Sequence, residues 1–229
     1  LTGTFYTASG PTPSSLVVGI SGTAMTRGSG TAQGNTLANT WNQTYTSYPD
    51  AVTAQANNSY ITWTTVVSEG YTLTITGLTE LNLARTASGP PSAELYYSLD
   101  GSTFNKLGAT ANVTQTLTSA ASTFGSSLST TPIVVTGGVG GSTITWRLVA
   151  YGAASRFGIG NNKSVDFSIL GTVTGGSAKN LTWGGGDGGW SVGVNGWVDG
   201  SAPATFAAND NVTINGGSLV VDGAGVNSG

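Results

Sequence analysis

The feature that most constrains this chain is a period of two in its apolar residues, carried from one end to the other. In "YTLTIT" the side chains of Tyr71, Leu73 and Ile75 share one face and Thr72, Thr74 and Thr76 share the other, which is the pattern of a half-buried strand. Gly77 shifts the phase: Leu78 has the wrong parity before Leu81 and Leu83 resume the run, so a bulge or bend is expected at that glycine. "ELYYSLDGSTFNKLG" reads as a hairpin with Leu95, Tyr97 and Leu99 facing inward, Asp100-Gly101 turning and Phe104 returning. "STITWRLVAYG" places Ile144, Trp146, Leu148 and Ala150 on one face and Thr145, Arg147, Val149 and Tyr151 on the other, with Arg147 expected to be solvated or paired across strands. Further strands are expected at "YITWTTVV", "TPIVVTG" and "SVDFSILGTV", and one short helical turn within "TLANTWNQTYTSY". An all-β fold, an antiparallel sandwich, is the class that fits.

Glycine becomes denser after Val173, and "TVTGGSAKN" reads as a hinge. The expected domains are therefore a sandwich over residues 1–175 and a smaller Gly/Trp-rich β tail, or the start of a second β module, over 176–229.

Composition narrows the chemistry. Only 7% of the 229 residues are charged, ten acidic against seven basic, so there is no field to hold nucleic acid. The chain has no Cys and no His, which removes disulfides, thiolate zinc sites and the nucleophile–imidazole pairs of many hydrolases. The longest apolar run is far short of about 18 residues, so no membrane insertion is expected. Richness in Gly, Thr, Ser and Asn, with a start at Leu1, reads as a mature exported segment, secreted or held at the cell surface.

A two-carboxylate hydrolase needs no His, but its candidates are dully placed. Glu80 and Glu94 alternate with inward apolar residues and so face outward, while Asp100, Asp199 and Asp222 each precede Gly in a turn. The expected protein is not an enzyme. No cofactor is expected beyond a structural calcium, for which Asp166, Asp187 and Asp210 are candidates beside the alternative of Asx turns. Asn42, Asn57, Asn112, Asn162, Asn180 and Asn211 begin Asn-x-Ser/Thr triplets, weak signs of exposure.

The tail sets Trp183, Trp190 and Trp197 seven residues apart in "TWGGGDGGWSVGVNGWVDG". Glycine rules out a helical seam. The indoles then either plug a small β core or, with Asn195 and Asp187, form a platform for sugar rings.

Residues 60–104, "YITWTTVVSEGYTLTITGLTELNLARTASGPPSAELYYSLDGSTF", carry "GYTL", a Leu-rich strand ending in Arg, "SGP" and "YSLDG". This order resembles a jelly-roll-like module of bacterial secreted proteins that often bear PEP-CTERM sorting signals, and the resemblance extends over about residues 30–172. Gly158 and Gly160 stand where that family usually has Arg and Asp. The family implies a jelly-roll sandwich and no particular activity. Trp183, Trp190, Trp197, Pro203 and "NDNV" at 209–212 are similar in order to the repeats of autotransporter-associated β-strand proteins, which implies an elongated surface structure.

Two functions follow as expectations. The first is a structural or adhesive subunit of an extracellular assembly, self-associating into a fibre by strand addition. The donor segments are "LTGTFYTASG" (Thr4, Phe5, Tyr6) or "NVTINGGSLVVDGAGVNSG" (Val212, Ile214, Leu219, Val221), each of which has the alternative of pairing within its own domain. The second is a carbohydrate-binding module of a secreted bacterial protein, with Tyr96, Tyr151 and Trp63 as an exposed aromatic line and a glycan as partner.

Overall fold

A computed structural model describes residues 2–9, 12–34, 37, 40–115, 118–160, 167–175, 180–183, 188–190, 197–199, 202–204, 211–214 and 219–221. The chain divides into two compact units, Leu1–Gly175 and Gly176–Gly229.

In the first unit the strands are β1 (Thr2–Ser9), β2 (Thr12–Leu16), β3 (Ile20–Gly22), β4 (Thr26–Arg27), β5 (Ala32–Gln33) and β6 (Thr40–Tyr45), followed by helix α1 (Ala51–Ala56). Next come β7 (Ile61–Val67), β8 (Thr72–Arg85), β9 (Ser92–Ser98), β10 (Asn105–Asn112), β11 (Thr118–Ser119), helix α2 (Ala121–Gly125) and a 3-10 turn over Ser126–Ser129. The unit ends with β12 (Ile133–Thr136), β13 (Ser142–Tyr151), β14 (Ser155–Gly160) and β15 (Phe167–Thr174).

All pairing in this unit is antiparallel. One sheet runs β2-β1-β15-β8-β14-β6-β5, with β11 and β12 also on β8, and the other runs β10-β9-β13-β7-β3, with β4 on β7. From β6 onward the chain alternates between them: β6 in the first, β7 in the second, β8 in the first, the β9–β10 hairpin in the second, β11 and β12 in the first, β13 in the second, β14 and β15 in the first. That alternation, which sets β7 beside β13 and β6 beside β14, is the connectivity of a jelly roll. The fold is an all-β sandwich.

The period of two builds the core. Ile61, Trp63, Thr65 and Val67 of β7 and Ile144, Trp146, Leu148 and Ala150 of β13 all point inward. Trp63 and Trp146 stack across the strands at 6.3 Å, and Phe167 from the opposite sheet meets both edge-on at 4.9 and 5.9 Å. Trp146 Nε1 donates to Thr65 Oγ1 at 3.1 Å, which gives this buried hydroxyl of β7 a partner. Trp63 is thus a core residue, which corrects its expected place on an exposed aromatic line.

Several local expectations are revised. The slip at Gly77 is double: the register against β15 shifts between Ser168 and Ile169 and again between Leu170 and Gly171, so the bulges bracket the glycine. Past them, Leu81, Asn82, Leu83 and Ala84 are all buried: Leu81 and Leu83 belong to the core that Ala121 and Phe124 of α2 also join, and β11 and β14 pair along this half of β8. The Asp100-Gly101 turn is a six-residue loop between β9 and β10. Asp100 Oδ1 accepts from the backbone N–H of Thr103 (2.6 Å) and Ser102 (2.8 Å) and from Ser98 Oγ (2.9 Å), while Gly101 takes φ +73°. With β9 ending at Ser98, Leu99 is 51% exposed instead of inward, and Phe104 lies on the outer face. The segment expected to hold a helical turn forms β6; the helix begins after it, where Asp50 caps Thr53 N–H at 2.7 Å. Asn42, expected to be exposed, is buried on β6.

The second unit contains β16 (Asn180–Trp183), β17 (Gly188–Trp190), β18 (Trp197–Asp199), β19 (Ala202–Ala204), β20 (Asn211–Ile214) and β21 (Leu219–Val221). β18 pairs antiparallel with both β16 and β19, whereas β16–β20 and β17–β21 are parallel.

Candidate functional site

Two surfaces concentrate the expected residues. The first is in the second unit. Asn180 lies opposite Asn211 and Gly188 opposite Leu219, so both parallel pairs have the same offset of 31 residues. One chain segment has therefore returned to lie on the previous one in register, as the rungs of a parallel β solenoid do. The sequence repeats at that spacing: Asn180/Asn211, Thr182/Thr213, Gly185/Gly216 and Gly186/Gly217 are identical, and Leu181/Val212 and Trp183/Ile214 are both apolar. The seven-residue tryptophan spacing does not express this longer period, which self-comparison of the sequence at 31 residues reveals.

Val212 and Ile214 lie on β20 and Leu219 and Val221 on β21, and among the described residues each of these strands is paired on one side alone. The opposite edge of β16 is occupied by the β18–β19 hairpin, whose β19 is the edge strand at that end of the sheet. Trp183 is 7% exposed and lies opposite Trp197 across the β16–β18 pair, while Trp190 ends β17. Asn195, Asp166, Asp187, Asp210 and Asp222 lie outside the described residues. At the other terminus Thr4, Phe5 and Tyr6 fall in β1, which sits between β2 and β15 with both edges occupied within its own sheet, so the edge there belongs to β2.

The second surface is the outer face of the sheet that holds β9, β13 and β7. α1 packs there through Ala51 and Ala54 onto Tyr96 and Val149, with Tyr48, Tyr60, Phe104 and Tyr151 around them. Glu94 is only 8% exposed, which revises its expected place as a plain outward carboxylate. It sits on the outward parity, but this face is itself covered by the aromatic cluster. Its Oε1 accepts from Lys106 Nζ (2.8 Å), Thr110 Oγ1 (2.7 Å) and the Tyr151 hydroxyl (3.0 Å), and its Oε2 from the Tyr96 hydroxyl. Burial opposes the charge of Glu94, but these four donors outweigh it and hold the carboxyl down at about 2. Burial and the adjoining carboxylate push the Tyr96 hydroxyl up.

Arg147 lies opposite Tyr96 on β9 and Thr62 on β7. Its Cζ sits 3.6 Å from the centre of the Phe104 ring and 4.3 Å from that of Tyr60, so both rings face the guanidinium. Tyr96 and Tyr151 thus share one face, grouped around Glu94, but Tyr96 is buried beneath α1, which corrects its expected place on an exposed line. The signal available in the sequence was the shared parity of Arg147 and Tyr151 on β13 and of Glu94 and Tyr96 on β9; what could not be read was α1 folding over them.

Among the described residues no three His, Cys, Asp or Glu side chains gather as a metal site, and no helix is long and apolar enough to cross a membrane. Fold and surfaces together define an all-β protein: an antiparallel sandwich of jelly-roll connectivity followed by a rung-like unit of parallel strands. Compared with protein families, curated proteins and solved structures, the chain matches none.

Proposed function

We propose that this chain is a non-enzymatic structural or adhesive subunit of an extracellular assembly, joined to its neighbours by strand addition at the edges of β20 and β21. The observation that carries the reading is the common 31-residue register of the two parallel pairs, which leaves two edge strands of the same rung available together. A parallel edge offers a row of backbone donors and acceptors that another strand satisfies. The edge at that sheet's other end is β19, only three residues long and carrying Pro203, a poor template for pairing beside β20. The resemblance of the tail to autotransporter-associated repeats points the same way, as does a surface with few charges.

Light scattering and negative-stain electron microscopy on the full chain test this. Masses well above 22.9 kDa, with regular fibres, are expected. Thr213→Lys puts a charge at an exposed position of β20 and should dissolve the assemblies, whereas Leu16→Lys, at the edge strand of the other unit, should not. A monomeric wild-type chain, or assemblies that respond to Leu16→Lys and not to Thr213→Lys, would defeat the reading.

A further inference from the structure

The outer face of the β9–β13–β7 sheet has a charge that its own residues leave unanswered. The Glu94 carboxylate is engaged by Lys106, Thr110, Tyr96 and Tyr151, and the Asp50 carboxylate by the start of α1. Among the described residues no carboxylate pairs with Arg147, and its buried Nε–H has no hydrogen-bond partner. Phe104 and Tyr60 each hold a ring against the guanidinium, which leaves the edge formed by its terminal N–H groups for a ligand. That edge is a fork of parallel donors whose spacing matches the two oxygens of a carboxylate, and the half-buried setting strengthens such a pair relative to open solvent.

The surroundings specify what carries the carboxylate. Tyr60 packs on the guanidinium and Tyr48 and Tyr151 are half-buried on the adjoining Tyr96–Val149 cluster, offering ring surface of the kind that packs against the C–H face of a sugar, and the hydroxyls of Thr62, Tyr60 and Tyr151, which donate within the protein, remain as neutral acceptors. A charged peptide would gain from further cations at this rim, but the other one, Lys106, is already paired with Glu94. We propose that this face binds an acidic glycan, with Arg147 holding the carboxylate of a hexuronate residue and the adjacent tyrosines its ring. This site is independent of the assembly edges, being in the other unit of the chain.

Calorimetric titration of the wild-type chain with oligogalacturonate should show saturable binding that weakens with salt. The methyl-esterified oligomer, which keeps the rings and loses the charge, should bind at least about tenfold more weakly. Arg147→Gln should do the same to the acid form, while Arg156→Gln, an equal charge change on β14, should leave it within about twofold. The ester comparison needs no variant, so it stands even where Arg147→Gln fails to fold. No heat of binding with the acid oligomer, equal binding of acid and ester, or equally tight binding of a poly-glutamate peptide would each overturn the proposal.

Discussion

Glu94→Gln provides the sharpest test of the structure, because one substitution changes both the stability of the sandwich and its response to acid. The amide keeps the size of the side chain but loses the charge that accepts from Lys106, Thr110, Tyr96 and Tyr151. The folded-state value of about 2 lies below the ordinary 4.5, so ionised Glu94 stabilises the folded chain. At about 1.4 kcal/mol per unit of pKa the shift corresponds to an upper bound of roughly 3 kcal/mol. Lys106 is 37% exposed, so solvent screens part of the pairing and on the order of 2 kcal/mol is expected. The sign follows from a depressed carboxyl: the contribution is complete above the unfolded value of 4.5 and is lost as pH falls toward about 2. Urea unfolding followed by tryptophan fluorescence, with Trp63 and Trp146 in the core of the same unit, measures it. Wild type should exceed Glu94→Gln by about 2 kcal/mol near neutrality, and the gap should close steadily below about pH 4.5. Asp100 also has a depressed carboxyl, which is common to both proteins and cancels in the difference, while Asp50 loses only the small repulsion from Glu94, the last of the influences on it. An equal stability at neutral pH, or a gap that stays constant into acid, would show that Glu94 is not held as described.

Two further outcomes follow from packing. Gly158→Ala would place a Cβ 2.4 Å from the Trp41 carbonyl oxygen and 2.6 Å from Asn42 Cα, so β6 and β14 must separate; a loss of about 2–3 kcal/mol in chemical denaturation is expected. Trp146→Phe removes the indole that stacks on Trp63 and leaves the buried Thr65 hydroxyl without its donor, and should cost about 2–3 kcal/mol in the same assay, with Thr65→Val recovering part of it.

The strands were legible because burial on one face of a sheet forces a period of two, and β7, β8 and β13 keep that period through their inward residues. The phase slip at Gly77 was legible for the same reason, since a bulge must move the apolar set to the other face. Legibility failed where both faces are covered. Leu81 to Ala84 are buried on both parities, and Glu94 is buried because α1 and its tyrosines lie over it. A parity argument has one inside and one outside, and cannot see a second layer. The hairpin at Asp100-Gly101 is legible from its turn residues, but its length depends on the Asp100 bonds that end β9 early, so Leu99 lies outside the strand and is exposed.

By itself, the sequence determined that this chain is all-β, because alternation with glycine and threonine between the apolar positions leaves no helix a continuous apolar stripe. It also determined which chemistries are closed to it, since without His or Cys the corresponding bases, nucleophiles and ligands do not exist in the chain. Tertiary structure alone decided which strands became neighbours: β7 beside β13, β1 enclosed between β2 and β15, and residue 180 beside residue 211. Those contacts join residues far apart in the chain, and their energy comes from filling a shared core and completing backbone hydrogen bonds. The local pattern of either partner cannot express that by itself, so the Arg147 edge and the open rung appear only once the chain has folded.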